Sequence, residues 1–213
     1  MKSSDIEYGI ILSWVESGAS VLDLGCGDGE LLALLARERK AKVQGIEIDE
    51  KAIYQCVAKG ISVLHGDVDS ELVDYGDKSF DYVILSQSFQ QVKKPDFVLR
   101  QALRVGKNVI VSFPNFASLS ARSQIFFRGR TPVTPSLPFE WHDTPNLHFL
   151  SILDFVDYCR RRGIKIRKSA FASAKRRVRL FPNLLAVTGI FLLSAGEHTG
   201  WQNDAAQLPG NQS

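Results

Sequence analysis

Alternation between short apolar runs and helix-patterned segments constrains this chain more than any other feature. VLDLG (21–25), KVQGIEI (42–48), ISVLH (61–65), FDYVILS (80–86) and NVIVSF (108–113) are rich in Val, Ile and Leu and bounded by Gly, Asp or Lys, as strands are. Between them ELLALLARERK, EKAIYQCVAKG and PDFVLRQALRVGK carry helical spacing, with Pro95 placed to start a helix and Gly60 and Gly106 to cap C-terminal ends. Such alternation predicts an α/β fold, a parallel sheet with helices on both faces. IEYGIILSWV precedes it as an amphipathic covering helix. SILDFVDYCRRRG follows as another, and IKIRKSAFA and LLAVTGIFLL read as late strands forming an antiparallel hairpin at one edge.

A chain of 213 residues with 45% hydrophobic content supplies one core, so residues 1–196 are read as a single domain. The last stretch, EHTGWQNDAAQLPGNQS (197–213), has little to bury and is expected to be a mobile tail. Residues 114–150, with five prolines, leave the C-terminal end of a strand and are too long for an ordinary connection, which points to a lid over a ligand. Cys26, Cys56 and Cys159 are scattered and odd in number, against a disulfide framework or cysteine zinc site and in favour of a reducing cytoplasm. Asp5, Glu7 and Glu16 interrupt any secretory apolar region, and LLAVTGIFLL is too short to span a bilayer. Between Arg160 and Arg179 stand ten Lys or Arg and no acid. That segment reads either as a patch for an acidic partner or as the wet face of an edge strand, since Ile164 and Ile166 alternate with Lys165 and Arg167.

Glycines at 25, 27 and 29 let the chain turn sharply between the first strand and first helix, and let a ligand approach backbone. The dinucleotide fingerprint GxGxxG fails in register, because Glu30 and Leu32 stand where its third glycine belongs. Asp23, Asp28 and Glu30 would also repel a pyrophosphate, so a cofactor carrying positive charge fits better. Glu47 closes the second strand, where an α/β fold places a carboxylate for ribose hydroxyls. Asp49 reads more simply as the cap of the next helix.

With these residues in view, DLGCGDG resembles the first motif of class I S-adenosylmethionine-dependent methyltransferases, GIEID their second, HGDVD their third and FDYVILSQSF their fourth. The resemblance implies a Rossmann-like, seven-stranded, mostly parallel sheet. It implies that Asp23, Gly25, Cys26, Gly27 and Gly29 face the methionine part of the cofactor, that Glu47 holds the ribose, and that Ile48 beside it belongs to the cofactor site. Asp67 and Val68 would border the adenine, and Ser86 and Gln87 the reacting side.

SFPNFASLSARSQIFFRGRTPVTPSLPFEWHDTPNLHFLSILDF is similar to the central and distal part of the MetW family of methionine-biosynthesis proteins. That resemblance implies a homoserine O-acyltransferase as partner and does not fix any methyl transfer, so two functions stand: an accessory subunit, or a methyltransferase acting on a small molecule. Catalytic residues are not assignable. His142, Asp143 and His148 offer a base and a carboxylate but lack zinc-ligand spacing, and no metal site is expected. SFPNFA resembles the Asn/Asp-Pro-Pro-aromatic motif of amino-methylating nucleic-acid enzymes, but Pro114 follows the fifth strand and not the fourth, which weakens that reading.

Overall fold

In a computed structural model, which describes residues 3–173 and 175–196, the apolar runs become neighbours in one sheet. β1 (Ser20–Leu24), β2 (Lys42–Glu47), β3 (Ser62–His65), β4 (Phe80–Ser86) and β5 (Gly106–Pro114) run parallel in the order β3-β2-β1-β4-β5. The sheet continues through β8 (Thr188–Ser194), β6 (Lys165–Ala172) and β7 (Arg177–Val178), all antiparallel to their neighbours. The expected tail lies outside the described residues. No helix among those described is long and apolar enough to cross a membrane.

Strand side chains alternate between two cores. Leu22, Leu24, Val83, Leu85, Val109, Val111 and Phe113 meet α5 (Pro95–Val105) and α7 (Ile152–Arg161) through Leu99, Ala102 and Phe155. Val21, Tyr82, Ile84 and Ile110 meet α1 (Ser3–Trp14), α2 (Glu30–Arg39) and α3 (Glu50–Ala58) through Ile10, Ile11, Leu32 and Cys56. Strands buried on both faces need apolar residues at odd and even positions alike, which is why they read as continuous runs.

Two expectations are corrected. Eight strands form, not seven, because β7 adds two residues to the edge of β6 at Phe171 and Ala172. LLAVTGIFLL is not strand throughout: Pro182 starts a single turn, α8 (Pro182–Leu185), and the strand begins only at Thr188. The two late strands do pair antiparallel, β6 with β8, at one side of the sheet. β8, with Ile190 to Leu193 all buried, inserts between β5 and β6, leaving the cationic β6 outside it. Gly60 does turn the chain at positive φ, whereas Gly106 caps α5 with extended backbone. Its need for glycine is spatial, since a Cβ there would lie 2.8 Å from Val83 Cγ2 and from the Asn108 carbonyl.

The insertion is partly regular. α6 (Leu119–Arg128) occupies its first third, and a turn bridged at Thr134 and Leu137 follows. Sheet order reverses at β1, with β2 on one side and β4 on the other, and this opens a crevice at the C-terminal strand ends.

Candidate ligand-binding cleft

At that crevice lies a cleft of about 330 Å³, inside the usual range for small-molecule sites. Gly25 and Gly27 form one wall, Glu47 and Ile48 a second, Asp67 and Val68 a third, and Gln87 closes it. The turn is shaped by φ of +71° at Gly25, +55° at Gly27 and +74° at Gly29, values that side chains with a Cβ rarely adopt. Gly29 also packs so closely on α3 that a Cβ would lie 2.8 Å from Cys56 Sγ. The Gly25 amide donates to the Ile46 carbonyl at 2.8 Å, locking the turn onto β2.

Glu47 organises the opening. Its Oε2 accepts from the Gly27 amide at 2.7 Å, and its Oε1 from Ile48 and Asp49 at 2.8 and 3.0 Å. Two carboxylate oxygens offer about four acceptor sites, so capacity is left for a hydroxyl donor from the cleft. Asp49 caps α3 as read, accepting from the Lys51 and Ala52 amides. Asp67 caps α4 (Val68–Glu71) and lies 3.6 Å from Lys93.

Four residues named from the sequence sit behind the lining layer. Cys26 faces Cys56 across 3.9 Å, both as free thiols, and Gly29 stands at the start of α2. Ser86 turns away, donating its hydroxyl to Glu7 Oε1 at 2.9 Å. Asp23 is buried beneath the turn with Oδ1 unpartnered; burial first, then repulsion from Glu47 and Glu7, pushes its carboxyl up to about 8.

Glu7, contributed by α1, was missed as a site residue. Its buried carboxylate accepts from Ser86, Ser112 and the Gln87 side chain, and burial raises its pKa against those bonds. Gln87, at φ +57°, is thereby held in a conformation uncommon outside glycine. Ser88, inside the fourth motif but not singled out, also lines the cleft, as do Gln91 and Val92, which no local motif marks. Asp28 is paired with Lys59 at 2.8 Å, so Glu47 and not Asp28 is the carboxylate that the cleft itself presents to a ligand.

This arrangement suits a cation bearing hydroxyls: an orphaned buried carboxyl oxygen faces no donor, and the glycine turn leaves backbone accessible. His148 Nε2 contacts the Val92 carbonyl at 3.0 Å, and His142 lies 3.6 Å from Glu140. Among the described residues no cluster of His, Cys, Asp and Glu could hold a metal. Pro114 does end the fifth strand, as the sequence placed it.

A model of the family described as methionine biosynthesis protein MetW matches residues 5–193. A bifunctional methionine biosynthesis protein MetXA/MetW of Rhodopirellula baltica is 34% identical over 182 residues, covering 81% of this chain and 29% of that protein. The chain thus spans about a third of the length of the curated relatives it matches. An S-adenosylmethionine-dependent methyltransferase from Archaeoglobus fulgidus superposes with a TM-score of 0.67 at 19% identity, covering 89% of this chain and 92% of its own. The [4+2]-cyclase SpnF does so at 0.64 and 16% identity, covering 91% and 82%, so the fold serves more than one chemistry. The chain belongs to the MetW family of methionine biosynthesis proteins and has the class I methyltransferase fold.

Proposed function

We propose that the cleft binds S-adenosylmethionine, or its demethylated product, and that the protein acts with a homoserine O-acyltransferase in methionine biosynthesis. The observation that carries the binding reading is Glu47 at the end of β2, holding the glycine turn with acceptor capacity to spare. Its free lone pairs would take the ribose hydroxyls. Ile48 and Val68 would flank the adenine, and Asp23 would lie near the positive methionine end. The partner reading is supported by the relative that carries MetXA and MetW in one chain. Residues 114–150 would cover the cleft: the Leu147 and His148 amides donate to the Gln90 carbonyl, beside lining residues Gln91 and Val92.

Glu47→Ala removes charge-assisted hydrogen bonds worth roughly 1.5–3 kcal/mol each, so S-adenosylmethionine affinity measured by calorimetry should fall about tenfold to several hundredfold. No heat of binding with wild-type protein would end the binding reading. Acyltransferase activity with this protein added, with and without S-adenosylmethionine, tests the partnership. No complex and no change in activity, alongside multiple-turnover methylation of a small acceptor, would make the chain a methyltransferase instead.

A further inference from the structure

The cationic stretch from Arg160 to Arg179 separates in space into three parts. Arg160 and Arg162, at the end of α7, pair with Asp157 and Asp96 at 2.9 and 2.8 Å. Lys165, Arg167 and Lys168 stand exposed on β6, whose outer edge pairs only at Phe171 and Ala172. Charges on an open edge discourage strand addition, and solvation accounts for them fully. Lys175, Arg176, Arg177 and Arg179 share that exposure and differ in what lies between them. They are exposed, and among the described residues none takes part in an ion pair.

These four cations surround apolar surface. Two adjoining hollows of about 670 and 420 Å³ share Ser173, Arg176 and Leu185. Leu119 of α6 and Leu184 and Leu185 of α8 floor the larger, and Leu180 and Val178 the smaller. Leu180 is 73% exposed, and Phe181 beside it is 75% exposed at φ +46°. A bulky aromatic in the left-handed region, turned to solvent, is held against both its backbone preference and its hydrophobicity. The hollows open at the same end of the sheet as the ligand cleft, because β8 starts opposite Pro114 at the end of β5.

Resting on the partnership proposed above, we infer that this groove between α6, the β6–β7 turn and α8 is the docking face for the acyltransferase. It receives an acidic segment of that partner carrying large apolar side chains. An apolar floor inside a rim of unpaired cations is complementary to that chemistry and repels a basic surface.

Hydrogen–deuterium exchange on the full chain, mixed with purified homoserine O-acyltransferase of the same organism, reads the face without mutation. Amides of 119–123 and 176–187 should slow in the complex. Arg176→Glu with Arg177→Glu should weaken the complex at least about tenfold and flatten its salt dependence, with S-adenosylmethionine affinity and melting temperature unmoved. Arg167→Glu with Lys168→Glu, on the open edge of β6, should change it less than about twofold. A complex that protects other surfaces, or that tolerates the groove reversal, overturns this assignment and leaves the partnership standing. Protection of the same amides by a dimer of this chain alone also overturns it. Absence of any wild-type complex overturns the partnership itself, and the docking face with it.

Discussion

Asp23 has its charge placed where solvent cannot reach it and two other carboxylates repel it. Its pKa rises from 3.8 to about 8, so folding takes up a proton across that window. The stability this supplies is complete below the unfolded pKa of 3.8 and is lost as pH rises through about 8. A bound cation reverses the preference, so S-adenosylmethionine should expel a proton and bind more tightly as pH rises within the same window. Asp23→Asn should therefore flatten the slope of stability against pH and equal or exceed wild type at pH 8, while binding the cofactor about tenfold more weakly. Denaturation across pH, with calorimetry in buffers of different ionisation enthalpy, measures both; an unchanged slope would place the titration elsewhere. Asp23, the glycine turn and Glu47 were legible because one strand–turn–helix and the next strand carry them. Glu7 was not, since its hydrogen bonds to Ser86 and Ser112 span 79 and 105 residues and no local pattern marks them.

At the scale of elements, α1 does more than cover the sheet: through Glu7 it fastens the ends of β4 and β5 and the Gln87 wall of the cleft. Glu7→Ala strands three donors in a buried space and should cost roughly 2–4 kcal/mol in urea denaturation, and it should weaken cofactor binding by releasing Gln87. Glu7→Gln keeps the shape without the buried charge and should stay within about 1 kcal/mol of wild type. Equal losses in the two variants would mean that the charge, not the bonding, matters. The five parallel strands and their helices were readable because each is marked by its own periodicity and by glycine or proline at its ends. α6 was not, because it buries only Ala121 and exposes Leu119, Ile125, Phe126 and Phe127, leaving no apolar stripe facing a core. β7 and α8 escaped notice because two and four residues are too few to show a period.

Across the whole molecule, the cleft and the groove share β5. The Gln87 amide donates to the Ser112 carbonyl at 3.1 Å. Three residues on, the buried Asn115 side chain donates to the Asn183 and Ala186 carbonyls at 3.0 and 2.9 Å, fixing α8 to the end of the strand. A ligand that tightens the Gln87 wall therefore bears on the element that floors the groove. If the two sites communicate, S-adenosylmethionine must change acyltransferase affinity by the factor by which the acyltransferase changes S-adenosylmethionine affinity. We expect that factor to be at least about fivefold, the lower end of ordinary coupling between sites. Calorimetric titration of the cofactor into the free protein and into the preformed complex measures one side, and titration of the partner with and without cofactor the other. Equal affinities in both pairs would show that β5 carries no signal and that the cleft and the groove act independently.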